Sequence, residues 1–298
     1  MKKCMKILAA AGGIFAGVGL IFLIAGLILS GGRIDWEDVF SVNGKDLLKY
    51  NIRLGDDKEA QEWDEVFVED SGDWKCTTVS GVRNLDIEMA VGDLQISTHT
   101  GKDIKVYVDQ SDSKTEVNQD GDELEIRVKN RWWEDKDRKV RIRIPEDYVW
   151  KEVDLDLKAA NGLVESLKAK ELSVSVGASS LEMTGKVEAE TSEWSLGAGS
   201  IDVKQLASDD ISVQCAAGEV VLGLDGEEED YFLDGEVSAG SLSFGNNCWD
   251  GVGQDVQYGN KNAKHRIDAE CAAGNIEITM YHDTMNHEDK NTGGIHHE

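Results

Sequence analysis

Two stretches of this chain, CAAGEVVL from Cys215 and CAAGNIEI from Cys271, share most of eight letters and lie 56 residues apart. Paired cysteines among small residues are what a redox couple or a thiolate metal site would use. Neither stretch carries the local CxxC spacing, so only the fold could bring the two sulfurs into play. A second chemical candidate is the carboxylate pair Glu182 and Asp202. Carbohydrate-active proteins set two such groups side by side across a glycosidic bond. A third is Trp132–Trp133 within KNRWWEDKDRK, the one basic, aromatic patch. Adjacent indoles there could stack on sugar rings or anchor a protein partner, or else fold down as a cap over the end of the structure.

The other signals are weaker. Asp56–Asp57 and Glu227–Asp230 are acidic runs without the spaced ligands and turn glycine of a calcium loop. The tail histidines His282, His287, His296 and His297 offer loose zinc or nickel binding with nothing to orient them. No GxSxG, P-loop or HExxH pattern occurs. The expectation is therefore no catalytic residues, no metal site and no cofactor, and a chain that is not an enzyme.

What positions these residues is a repeat. LDIEMAVGDLQI starts at Leu85, LSVSVGASSLEM at Leu172, ISVQCAAGEVVL at Ile211 and IDAECAAGNIEI at Ile267. EWSLGAGSIDV at Glu193, GEVSAGSLSF at Gly235 and the looser VDLDLKAANGLV at Val153 follow the same plan. Apolar residues alternate, a small residue and Gly or Ser break the run, and an apolar-x-apolar arm follows. Period two means strand with one buried face. The break residues Ser179, Gly199, Gly218 and Gly240 recur at steps of 20, 19 and 22 residues, and Gly274 follows after an insertion. That spacing predicts an all-β fold, a β-solenoid or β-helix of short Gly-centred rungs.

The alternation places Ile211, Val213, Cys215 and Ala217 inward, and likewise Ile267, Ala269, Cys271 and Ala273. A glycine at positive φ, or a bulge, then turns the strand so that Val220, Leu222, Ile276 and Ile278 also face inward. On this reading Val237 belongs to a rung between the cysteines. They then sit two rungs, about 10 Å, apart, too far for a disulfide, and act as small core fillers. Cys76 and Cys248 fall in loop-like sequence and could pair in an oxidising exterior. The outward column after the break reads Glu182, Asp202, Val221, Ser243, Glu277. It stops after two carboxylates, which reads as a solvated face rather than a catalytic ladder.

Outside the repeat, residues 7–30 run for 24 residues without a charge. That is about 36 Å of helix, enough to cross a bilayer. The run is too long for a signal peptide and no Ala-x-Ala site follows it, so an uncleaved anchor is expected. Gly13 and Gly17 form a GxxxG within it. Lys2, Lys3 and Lys6 precede it, which puts the N-terminus inside. The formal charge is −27, and −30 without those lysines. So acidic a chain does not suit nucleic acid, and favours a basic protein or cationic peptide. The boundaries expected are 1–32 for tail and anchor, 33–78 for an acidic stalk, 79–281 for the solenoid, and 282–298 for a disordered tail.

One anchor helix, the LDIEMAVGDLQI opening, paired strands ending in KVRIRIPEDY and the Gly-centred rungs together resemble the bacterial "putative adhesin" β-strand-repeat domain of unknown function. That family includes LiaG-like proteins of cell-envelope stress operons. The resemblance implies an extracytoplasmic β-helical module tied to envelope maintenance, with envelope-stress membrane proteins as partners and no catalytic residues to transfer. The expected function is thus a membrane-anchored, non-catalytic scaffold, adhesin or accessory factor. The alternative is a carbohydrate-binding or carbohydrate-active β-helix protein using Trp132, Trp133, Glu182 or Asp202. Protease added to intact protoplasts should remove everything beyond Gly31 and leave a fragment holding residues 1–30. Complete protection of the chain would place the domain inside the cell instead.

Overall fold

The structure, a computed structural model, describes residues 74–109, 112–129 and 138–281. All of them lie in one compact unit, Ser71–Glu298. The apolar run at residues 7–30, the stalk up to residue 73, Trp132–Trp133 and the histidine tail lie outside them. No helix among the described residues is long and apolar enough to cross a membrane.

The described residues form nineteen strands in one continuous sheet. Those before the central corners are β2 (Asn84–Met89), β6 (Glu123–Val128), β8 (Trp150–Leu157), β10 (Leu167–Val176), β14 (Tyr231–Val237) and β18 (His265–Cys271). Those after them are β3 (Gly92–His99), β7 (Lys139–Pro145), β9 (Ala160–Val164), β13 (Glu219–Leu224), β15 (Ser241–Phe244) and β19 (Asn275–Met280). The long strands β11 (Ser180–Leu196) and β12 (Ser200–Cys215) run from one side of the coil to the other, with register shifts at Met183/Lys186 and Val203/Leu206. Five further strands pair antiparallel with their neighbours: β1 (Trp74–Val79), β4 (Ile104–Asp109), β5 (Thr115–Asp120), β16 (Asn247–Asp250) and β17 (Gln254–Gly259).

Two sheet faces result. The first runs β5–β6–β2–β8–β10–β11–β12–β18–β14–β17. The second runs β1–β4–β7–β3–β9–β11–β12–β13–β19–β15–β16. Every pairing of one coil with the next is parallel, which is the solenoid the repeat predicts. Ile201, Val203, Val220, Leu222, Ile276 and Ile278 are all fully buried, so the register of the post-corner arms is as the alternation requires. Trp150 and Trp194 fill the inside of the coil alongside the aliphatic columns.

The order of coils departs from the order of the sequence at both ends. β2–β3, the first coil, lies between β8–β9 and β6–β7. β18–β19, the last, lies between β12–β13 and β14–β15. Each end of the stack therefore closes on a strand that returns antiparallel, through two-residue turns with Gly121 and Gly245 at φ of 60° and 57°. Such returns cover the parallel edges that would otherwise recruit another chain. The segment between Asn246 and Lys264, an insertion by sequence spacing, supplies the cap β16–β17. β5 has no alternating apolar signal because it is the exposed partner of β6.

This order corrects one expectation. Cys215 pairs in register with Cys271 on the adjacent strand, and Val237 lies beyond Cys271 rather than between them. Equal sequence steps say nothing about a coil that the chain inserts late. The corner also differs in detail. Ala217 and Ala273 are exposed, because the inward alternation stops at each cysteine and three residues make the bend. Of the break glycines at 199, 218, 240 and 274, only Gly199 has positive φ. Close approach explains the others: a β-carbon on Gly274 would lie 2.5 Å from the Gly218 carbonyl oxygen, and one on Gly218 2.5 Å from that of Gly199. Those same carbonyls accept hydrogen bonds from Asn275 N (2.8 Å) and Glu219 N (3.0 Å), so the ladder continues through the bend.

Two substitutions test this packing by thermal or urea unfolding of the exterior domain. Gly274→Ala should cost about 1–3 kcal/mol, because main chain rather than a flexible side chain blocks the added methyl. Ile201→Asp should cost several kcal/mol and abolish the cooperative transition, as it buries an unpaired charge.

Candidate functional site

Parallel in-register strands put equivalent outward side chains in columns, one every ~4.8 Å. On the first face four strands carry acids at both outward positions: LDIEM in β2, VDLDL in β8, IDAEC in β18 and LDGEV in β14. Asp86 faces Asp154 and Glu88 faces Asp156 across β2 and β8. Asp268 faces Asp234 and Glu270 faces Glu236 across β18 and β14, and Asp255 of β17 extends the second column. Between the two groups β10, β11 and β12 present Ser173, Ser175, Glu193, Ser195, Ser212 and Gln214. The face is acidic at both ends and mostly neutral in the middle.

The two ends differ in how the charge is balanced. Near β2, Arg127 reaches Glu125 at 2.6 Å, Glu88 at 3.6 Å and Asp86 at 3.8 Å. Lys158 pairs with Glu88 and lies 3.7 Å from Asp156. Near β18, Arg266 binds Asp234 at 3.2 Å. Glu236, Asp255 and Glu270 have no ion pair among the described residues. Like charges directly across a ladder repel. Desolvation, then Asp268 and Glu236, push the Glu270 carboxyl above its usual range. Desolvation and Asp234 raise Asp268 despite Arg266. Asp154 rises for the same first cause, with Asp86 adding to it.

The second face carries the pair singled out by sequence. Glu182 and Asp202 are in-register neighbours, and Asp202 next faces Val221. Burial, then Glu219, raise the Asp202 carboxyl. Beside them runs a line of polar contacts. Asn161 Nδ2 donates to Asp93 at 3.4 Å and Ser180 to Asn161 Oδ1 at 3.1 Å; Asn275 Nδ2 donates to Glu219 at 3.0 Å and Ser241 to Asn275 Oδ1 at 2.6 Å. These are neighbouring-coil ties, and they occupy the polar position after the corner.

Trp132 and Trp133, which stand between β6 and β7 in the sequence, lie outside the described residues. Glu228, from the acidic run 227–230, is taken up structurally, accepting a hydrogen bond from the Tyr258 hydroxyl at 2.7 Å. Among the described residues no group of three or more His, Cys, Asp or Glu is set to hold a metal ion. Cys76 and Cys248 are exposed and free. They stand on β1 and β16 at the two ends of the second face, ten strand steps or roughly 48 Å apart, so pairing within one chain is ruled out.

The acidic columns could have been found in the sequence. The signal is D-x-D or D-x-E at the outward positions of a strand, repeated in four coils. The columns after the corner gave no ladder, and those before it hold one.

Raised carboxyls carry a definite sign. A folded pKa above the unfolded one means the folded state binds more protons in the interval between them, so stability falls as pH rises through that interval. Acidification from neutrality should therefore first raise the melting temperature, through relief at Asp86, Asp154, Asp202, Asp268 and Glu270. Further acid should lower it, as Glu88 and Asp122, both held below the usual range by their cations, take up protons. Glu270→Gln should raise the melting temperature at pH 7 and flatten the first rise. A melting curve that only falls from pH 7 downward contradicts this.

Residues 82–223 match the family model described as Toastrack DUF4097. None of the curated proteins matches the sequence. Among solved structures, the chain is similar to a putative adhesin from Bacteroides fragilis at 14% identity and a TM-score of 0.40, covering 69% of this chain and 95% of that one. A putative cell adhesion protein from Clostridium sporogenes is 19% identical with a TM-score of 0.31, covering 70% and 98%. A putative adhesin from Parabacteroides distasonis is 15% identical at 0.32, covering 69% and 95%.

Proposed function

From a chain whose residues 82–223 match the Toastrack DUF4097 family model, we propose a membrane-anchored, extracytoplasmic and non-catalytic docking module. Its acidic solenoid face binds a basic protein or cationic peptide of the cell envelope. The observation that carries this reading is the column Glu270, Glu236 and Asp255, three carboxylates stacked across adjacent strands with no ion pair among the described residues. A rigid ladder cannot move them apart, so a ligand that brings positive charge relieves the repulsion. Arginine or lysine side chains at strand spacing would match it, and the long-range charge would speed their approach. The anchor reading rests on the charge-free run at residues 7–30 behind three lysines, and the link to envelope stress on the resemblance described above.

The competing reading is a carbohydrate-active protein. One observation favours it: Asp202, whose carboxyl is raised by burial and then by Glu219, stands in register beside Glu182.

The test is a titration of the exterior chain with a lysine- and arginine-rich peptide. Binding should weaken steeply between low and physiological salt. The triple variant Glu236→Gln/Asp255→Asn/Glu270→Gln should weaken it at least tenfold, while Glu182→Gln should not. Crosslinking in cells should then capture a basic envelope protein by the same face. Equal binding by the triple variant sinks the docking face. Turnover of wall polysaccharide, lost on Asp202→Asn, sinks the non-catalytic reading.

A further inference from the structure

Cys215 and Cys271 are the two most buried cysteines of the described chain, at 2% and 1% exposure. They are also direct partners on adjacent parallel strands. In-register parallel neighbours have Cα atoms about 4.8 Å apart, inside the 4.4–6.8 Å range that disulfides span. Their column is otherwise aliphatic: Met89, Leu157, Val176 and Leu196 on one side, Val237 on the other. Two thiols thus stand together where valine or leucine would fill more volume.

The sulfurs lean the same way along the stack. Cys215 Sγ would lie 2.5 Å from a β-carbon on Gly274, the corner glycine of the very coil that carries Cys271. Cys271 Sγ would lie 2.7 Å from one on Gly240. Each thiol donates to the carbonyl three residues on, Cys215 to Gly218 at 3.3 Å and Cys271 to Gly274 at 3.1 Å. The Cys215 sulfur already leans into the coil of Cys271, so closing the bond needs the Cys271 sulfur to turn back from Gly240 and the β-carbons to draw in by under ~1 Å.

We propose that Cys215 and Cys271 are a cross-coil disulfide site, a covalent clamp that fastens the inserted coil β18–β19 to the body of the solenoid. β18–β19 is the last coil laid down and enters between two coils already specified by earlier sequence, so a bond to β12 holds the piece whose departure would split the stack. Both groups are free thiols in the structure, and the bond forms by exchange with an external disulfide. The Cys271 thiolate attacks one sulfur of that disulfide and expels its partner as a thiolate. The Cys215 thiolate then attacks the Cys271 sulfur and expels the second. One protein S–S bond forms, the external S–S bond is reduced to two thiols, and the two protons from the cysteines end on those thiols. Burial pushes the Cys215 thiol pKa up, with the neighbouring Cys271 adding to it. Exchange therefore belongs to the open state, before the last coil seats or when it lifts.

The experiment uses the full chain in detergent, refolded from denaturant with oxidised glutathione, then unfolded and alkylated without reductant. The expected result is a peptide pair linking Cys215 to Cys271, with Cys76 and Cys248 alkylated as internal controls. Adding reductant to the oxidised protein should lower its melting temperature by about 10 °C, since the bond closes a loop spanning 56 residues. Cys215→Ala and Cys271→Ala, each small enough to keep the coil, should lose that response. Full alkylation of Cys215 and Cys271, a link from either to Cys76 or Cys248, or a melting temperature indifferent to reductant in the wild type overturns the proposal.

Discussion

The corner of the coil is the constraint on which the rest depends. For strands on both faces to stack in register, each corner must lie directly over the one before it, main chain on main chain. The Gly218 carbonyl occupies the space a β-carbon on Gly274 would need, and the Gly199 carbonyl does the same at Gly218. A β-carbon at Gly218 or Gly274 would push one coil against the next. Because the corner carbonyls are also hydrogen-bond acceptors, the close approach and the backbone pairing are one interaction. Strict register is what converts a period in sequence into straight columns of side chains.

Those columns decide both the interior and the surface. Inside, aliphatic side chains stack with Trp150 and Trp194 among them. Outside, the same geometry forces charges into lines at ladder spacing, where a flexible surface would let them splay. Around β2 the chain offsets this with Arg127 and Lys158. Around β18 only Arg266, on Asp234, does so among the described residues, and burial together with like charge raises the carboxyls of Asp268 and Glu270. A fold that stores unrelieved charge on a flat, stiff face has a surface suited to a partner of opposite sign.

The ends of the stack answer a different problem. A parallel coil repeats in one direction and leaves an edge at each end. Here the chain reverses through tight hairpins and lays antiparallel strands over both edges, then returns inward by one coil. The returning coil is held on two sides instead of one, as β18 is by β12 and β14. That manoeuvre also sets Cys215 against Cys271.

What the sequence by itself determined was local and periodic. Apolar alternation marked the strands, glycine or serine at steps near 20 residues marked the corners, and both together required stacked coils with Ile201, Val220 and Ile276 inside. The acidic columns were equally present, as D-x-E and D-x-D at outward positions of β2, β8, β14 and β18. β5 was not, because an exposed edge strand needs no apolar side and leaves no alternation. Only the tertiary structure decided which coil lies beside which. Sequence spacing measures distance along the chain, while neighbours in a solenoid are set by which edge is free when a coil arrives. An edge covered by a hairpin is closed to the next coil, so β18 must insert beside β12. Two cysteines that spacing put two rungs apart thereby become direct partners.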